Sequence, residues 1–453
     1  MRGRAVSSRR SVTIVAGGMS DQEQRLRFGG AAEDSASSRS VFRHRDFAWF
    51  WVARMFSTLA TQSESVTIGW QVYTLARHSR SVEQSAFLVG MVGLAQFVPN
   101  FLLALIAGAT ADRRDRRGII LTCTAVEIGC VCGLALLSLH PRPSLVPIFL
   151  IAAVFGGSRS FLWPANGAMG PMLVPREILP RAISRSSLGD QIAFVVGPWI
   201  GGVLCAISPF VAYCGSLGLY VCAFGALLLI RANTRPELQP GSHMEQIREG
   251  LAYVWTNKIV LGAISLDLFA VLLGGVTALL PVFASDILKV GAHGFGILRS
   301  GPAIGAMATA FALNRWPLHR RAGAWMFAGV AGFGVSTLVF AVSRSLVVSV
   351  IALACLGATD MISVFVRLTL VQLVTPDRFR GRVSAVAGLF IGATAELGEF
   401  ESGVTARLFG PVGAAIFGGV GSLVVTGAWA WMFPSLRRAD RLEMAEVIDG
   451  AES

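Results

Sequence analysis

From Asp46 almost to the end of the chain, apolar runs of about 20 residues recur, separated by short polar connections. A helix rises about 1.5 Å per residue, so about 20 apolar residues cross a hydrocarbon core about 30 Å thick. Spans are predicted near 46–76, 86–109, 118–139, 146–169, 184–207 and 210–231, and again near 259–284, 294–314, 322–343, 346–373, 383–407 and 411–434. Charged residues make up only 15% of the chain, against roughly 25% for a soluble domain. Twelve spans use most of the 453 residues, which leaves no length for a soluble catalytic domain. The expected fold class is therefore all-α integral membrane, with the lipid bilayer as a partner.

The polar stretch between spans 6 and 7 divides them six plus six, as two pseudo-symmetric six-helix bundles would require. The expected organisation is a disordered basic tail at 1–41, a bundle at 42–231, an interdomain linker at 232–258, a second bundle at 259–434 and a tail at 435–453. Nothing before Met19 reads as foldable, so Met19 competes with Met1 as the start. Within the linker, Ile247, Leu251 and Val254 recur at helical spacing. A linker with one or two amphipathic turns is the preferred reading, and a surface helix lying on the membrane is the alternative.

The formal net charge of +12 comes almost wholly from arginine, in short clusters between apolar runs. With both termini cytoplasmic, the cytoplasmic loops carry thirteen arginines, including Arg113, Arg116, Arg176, Arg320 and Arg380. The opposite loops carry six basic residues, among them Arg77, Arg142, Lys289 and Arg344. That asymmetry is the positive-inside pattern, not a nucleic-acid footprint. All seven cysteines fall in apolar segments without CxxC pairs, and the six histidines are scattered, so neither a metal site nor an integral-membrane enzyme is expected. The GxxxxGK[ST] signature is missing from the sequence, which argues against ATP drive, and no cofactor is expected.

Two motifs carry more than topology. "GATADRRDRRG", Gly108 to Gly118, is a tight, charge-rich turn after span 2. Its Asp can cap a helix and its arginines can pair with acids on neighbouring helices. "GPWIGG" in span 5 places Gly197, Gly201 and Gly202 where another helix can approach closely, and Pro198 removes a backbone hydrogen bond. The charged turn resembles the G-x-x-x-D-R-x-G-R-R signature of the major facilitator superfamily, matched by Gly108, Asp112, Arg113, Arg116 and Arg117. Asp115 stands where that family usually has Gly. The span 5 motif is similar to the GPxxGG element of the superfamily's exporters and antiporters. "FRHRDFAWFWVARMFS", "TPDRFRGRV" and "ELGEFESG" are similar to the bacterial enterobactin-exporter-like branch, and the likeness covers roughly 42 to 434. The resemblance implies the major facilitator fold and a bacterial cytoplasmic (inner) membrane location. It also implies a conformational latch at the 108–117 loop and efflux of a hydrophobic or siderophore-like small molecule in exchange for protons.

Ionisable residues inside spans cost about 2.5–3.5 kcal/mol each at a helix centre, so they usually face a cavity or a partner. Asp190, Asp267, Asp360, Glu396 and Glu399 are candidate proton-coupling groups, while Arg54, Glu64, Arg159 and Arg367 are candidate cavity and substrate contacts. Glu127 belongs to the same intramembrane set. Val383 to Ala395 is only about 20 Å of helix, so span 11 must run on through its acids. Glu396 and Glu399 then lie about 60° apart on one face in the outer half, while Glu401 points away from Glu399 and reads as a boundary residue. Two such carboxylates cannot both ionise cheaply. The leading expectation is a monomeric secondary transporter working by alternating access. An uptake permease of the same fold and a non-transporting sensor stand as alternatives.

Overall fold

The computed structural model describes residues 41–141, 143–235, 243–316, 318 and 320–439, with the side chains of 105, 243–247, 377, 378, 380, 381, 384, 385 and 389–393 outside the description. The expected tails, apart from residues 41 and 435–439, lie outside the described residues, as do Met19 and Arg142. What remains is helical nearly throughout.

Six helices come first: α1 (Arg45–Arg77), α2 (Val82–Ala111), α3 (Arg116–Ser138), α4 (Leu145–Met169), α5 (Leu179–Ile207) and α6 (Pro209–Leu228). Side-chain oxygens start several of them by accepting the orphan backbone N–H groups of the first turn. Ser81 accepts from Gln84, Ser144 from Val146, and Ser208 from Val211. After a break, α7 (His243–Thr256) precedes α8 (Lys258–Leu273), which Asn257 caps through Ile259 and Val260. Gly274 and Gly275 interrupt that pass, which continues in 3₁₀ and π turns to Ile287. Then come α9 (Gly291–Arg315), α10 (Ala322–Val342), α11 (Leu346–Val374) and the long helical stretch Asp377–Met432. Gly410 breaks that stretch into α12 (377–409) and α13 (411–432). Its φ of 74° is open to glycine, and Pro411 starts the next helix with its ring already set for it.

Among the described residues, nine stretches are long and apolar enough to cross a membrane. One of them, Thr394–Met432, contains the Gly410 break and so supplies two passes. The 33-residue α1 and the 25-residue α9, both more polar, complete twelve. The outer surface explains why these helices belong in lipid. Trp163, Phe311 and Trp431 are each at least 77% exposed, and exposed apolar side chains in such numbers mark a membrane-facing surface.

Connections alternate between two faces. The 112–115 turn, α7 and residues 316, 318, 320–321 and 375–376 define one, here called the terminal face because the described ends lie there. Residues 78–81, 139–141, 143–144, 288–290 and 343–345 define the distal face. The two six-helix halves meet along α2 against α12 and α5 against α9. The α7 helix is longer than the one or two turns preferred from sequence. It lies against α12, with Glu249 paired to Arg382 and the Tyr253 hydroxyl donating to the Val374 carbonyl at 3.1 Å.

Candidate functional site

The GPWIGG glycines divide their work between the halves. A Cβ on Gly197 would stand 2.7 Å from Gln62 Cβ, and one on Gly201 would stand 2.5 Å from the Ser63 carbonyl oxygen. Both positions therefore seat α5 on α1 inside one half. Gly202 faces the other half: its Cβ would stand 2.6 Å from Gly296 Cα. The neighbouring Ser300 hydroxyl donates to the Val195 carbonyl at 2.8 Å. The same close approach recurs where α2 meets α12, with Gly90 against Gly403. Near the distal face the seam is tied by polar groups as well. Asp286 accepts from the Tyr73 hydroxyl and from Arg77, the latter at 3.1 Å. Trp70 stacks on Phe295 beside them.

The sequence-selected charges fall into three sets. Within the first half, Arg54 on α1 grips Asp190 on α5 with two nitrogens, Nη2 to Oδ2 at 2.6 Å and Nε to Oδ1 at 3.0 Å. Within the second half, Arg367 on α11 pairs with Asp267 on α8 at 2.9 Å, and Asp360 lies within Coulombic reach of both. Arg367 is only 3% exposed, so its geometry is that of an enclosed ion pair.

The third set straddles the seam. Helix α12 starts at Asp377, six residues before the start assumed from sequence, and runs without interruption through Glu396, Glu399 and Glu401. Glu396 accepts from the Asn100 amide of α2 at 3.3 Å, and Arg159 of α4 is within Coulombic reach. Glu399 accepts from Thr277 at 3.2 Å and pairs with Arg299 of α9 at 3.3 Å. Both acids crowd Gly93 of α2, where a Cβ would stand 2.7 Å from the Glu396 carbonyl oxygen and 2.9 Å from Glu399 Cβ. Glu401 accepts locally from Thr405 at 2.6 Å. Behind the seam, Arg159 donates to Gln96 at 3.0 Å, and Glu64, 1% exposed, accepts from Tyr220 at 3.1 Å.

The 108–118 turn is built differently from the expected pairing of arginines with acids. Arg116 donates to the Ala168 carbonyl at 3.1 Å, and Arg117 to the Leu227 and Leu228 carbonyls at 3.0 and 3.1 Å. These cations meet the unsatisfied, electronegative carbonyls of helix C-termini. Asp112 closes α2 as its C-cap, and Arg113 is exposed beside it. Asp115 takes over where the superfamily signature has Gly. It caps α3 by accepting from the Gly118 N–H at 3.0 Å, and it accepts from Thr234 of the chain leaving α6.

This fold and these motifs agree with what known proteins show. The transmembrane secretion effector profile matches residues 36–448. The chain belongs to that family of major facilitator transporters. It is 27% identical over 405 residues to the enterobactin exporter EntS of Shigella boydii serotype 18, covering 87% of this chain and 93% of that protein. EntS of Escherichia coli O81 matches to the same extent. Among solved structures, a point mutant of the peptide transporter POT superposes with a TM-score of 0.69 at 12% identity, covering 88% of this chain and 99% of the other. A point mutant of the nucleoside transporter NupG gives 0.68 at 13% identity over 86% of this chain and 100% of the other. The solved structures give the fold, and membership of the family makes the chain a multi-pass membrane transporter rather than an enzyme.

Sequence reading left out Arg299, Gln96, Asn100, Thr277 and the Tyr73–Arg77–Asp286 cluster. Arg299 was visible in principle, as an arginine in the ninth helix, and the two amides interrupt the apolar run of α2.

Proposed function

We propose that this transporter exports a small hydrophobic or siderophore-like molecule by alternating access, in exchange for protons, with Glu396 and Glu399 as the proton-binding pair. The terminal face is the cytoplasmic one in this reading, both termini lie inside, and the membrane is the bacterial cytoplasmic membrane. The observation that carries it is the placement of two carboxylates on one face of α12 at the seam, where the Asn100 partner of Glu396 and the Gly93 neighbour of Glu399 lie in the other half and rocking would separate them. Rigid-body rocking of two bundles around a fixed central site is how such repeats alternate their access. Protons taken from outside would neutralise the pair, and inward release would reset it. The arginine asymmetry supports the orientation, and the kinship with exporters supports the direction.

The test is uptake into inside-out vesicles with an acidified lumen, using a panel of dyes, antibiotics and siderophores. Wild type is expected to accumulate at least one of them only while the pH gradient stands. Glu399→Gln is expected to insert at the wild-type level and lose gradient-driven accumulation. Undiminished transport by that variant would remove Glu399 from the mechanism. Accumulation of every substrate independent of the gradient would remove proton exchange.

A further inference from the structure

The N-terminal half encloses a carboxyl that the seam does not explain. Glu127, on α3, is 1% exposed, and neither of its oxygens has a hydrogen-bond partner. Charged and titratable groups of three other helices lie within Coulombic range of it. They are Glu64 of α1, Arg159 of α4 and Tyr220 of α6, with Cys123 and Cys130 on α3 itself. Among these Arg159 supplies the positive charge, and it reaches Glu64, Glu127 and, across the seam, Glu396. Three carboxyls thus share one guanidinium, whose described hydrogen bond goes to none of them but to Gln96.

The three are not equally provided for. Glu64 has the Tyr220 hydroxyl and Glu396 has the Asn100 amide. Glu127 has no donor, and an ionised carboxylate enclosed without a donor or a close cation is strongly disfavoured. In this arrangement it holds a proton. If Arg159 moves from Gln96 toward Glu127, the same group becomes a favourable carboxylate, because an enclosed charge needs a paired one beside it.

We infer that Glu127 is a second proton-binding site, in the N-terminal half, and that Arg159 exchanges between it and Glu396 as their protonation alternates. This rests on the reading of Glu396 and Glu399 as a proton-binding pair. The balance is one proton each way. Glu127 gives one up to solvent as it gains Arg159 as counter-ion, and Glu396, losing that cation's field, takes one up from solvent. The bundle interior and the seam would then be linked electrostatically rather than by packing alone.

The experiment is pH-titrated infrared difference spectroscopy on purified, reconstituted full-length protein, following the C=O band of neutral carboxyl groups. Wild type is expected to show titrating components from both sites. Glu127→Gln should remove one component, and the Glu396→Gln/Glu399→Gln double variant should keep that component while losing others. Arg159→Gln should leave the Glu127 component neutral, hence present, across the whole pH range. A spectrum unchanged by Glu127→Gln overturns the second site, whatever the α12 variants do. A spectrum unchanged by the α12 double variant, with the Glu127 component lost in E127Q, overturns the seam proton pair and keeps Glu127. Wild-type titration of the Glu127 component in R159Q overturns the shared guanidinium. If E127Q fails to fold, Glu127→Asp, which keeps a carboxyl, assigns the component by its band shift, and an unshifted spectrum overturns the second site.

Discussion

Gly202→Ala is expected to shift the transporter away from its distally closed arrangement without loosening either half. The added methyl would stand 2.6 Å from Gly296 Cα and 2.9 Å from the Ala292 carbonyl oxygen. Both obstacles are backbone, so no side chain can swing aside. Overpacking of this kind costs about 1–3 kcal/mol, and it is felt only while α5 and α9 are pressed together. Coupling of that size changes a two-state ratio by roughly 5- to 150-fold, enough to make a minor open state prominent. Spin labels at Ser79 and His293, both exposed at the distal face, report the separation of the halves once the seven cysteines are replaced. The distance distribution in Gly202→Ala should gain a longer component. Gly197→Ala is the internal control, because its methyl meets Gln62 and Leu59 of the same half. It should lower thermal stability and leave the distances alone. If Gly202→Ala leaves the distribution unchanged, or if Gly197→Ala shifts it equally, the assignment of these glycines to different interfaces is refuted.

Three further perturbations separate latch, strut and turn. Arg77→Ala removes a half-exposed cation from Asp286, so about 0.2–1 kcal/mol is at stake. The same spin pair should lengthen modestly, with a smaller difference between variant and wild type in high salt, where the pair is already screened. Arg367→Ala strands Asp267 in an enclosed site, at a cost of about 3–5 kcal/mol. It should lower the unfolding temperature far more than Arg77→Ala does, and exchanging the two residues should recover part of the loss. Asp115→Ala removes the α3 cap and the tie to Thr234 together, for about 1 kcal/mol or somewhat more. Thr234→Val, which keeps the cap, should show the smaller loss in thermal unfolding.

The span count, the six-plus-six division and the separation of the last two spans between 407 and 411 were readable from run lengths, because crossing a membrane imposes a length that helices cannot evade. The same reasoning put Glu396 and Glu399 within a helix, since thirteen apolar residues are too few to cross. What run length does not give is the rotation of one helix against its neighbours. Seven-residue spacing brought Asp360 and Arg367 onto one face of α11, but the closest partner of Arg367 is Asp267 on α8. Arg116 and Arg117 are free by sequence to pair with acids, and in the structure they donate to the carbonyl ends of α4 and α6. An unsatisfied helix end is an acceptor that sequence does not display as a residue type. Asn100 and Tyr220 do not stand out in the sequence for a related reason: neutral donors matter here only because an acid from another helix arrives beside them, while Gln96 matters as the acceptor of Arg159.

The three sets of charges differ in what rocking would do to them. Arg54–Asp190 and Arg367–Asp267 each join two helices of one half, so a rigid-body movement of the halves leaves both pairs intact. Glu396 takes its donor from α2, and Arg159 acts on it from α4, both in the opposite half. Glu399 is held by Thr277 and Arg299 of its own half, yet its Cβ is packed against Gly93 of the other. A movement that separates α2 from α12 therefore strips Glu396 of its neighbours, frees one flank of Glu399, and leaves the intra-half pairs unchanged. Charge that loses its partners must find a proton or water. The seam is where the fold forces that choice, and under the proposed exchange mechanism conformational change and proton binding therefore fall on the same few residues.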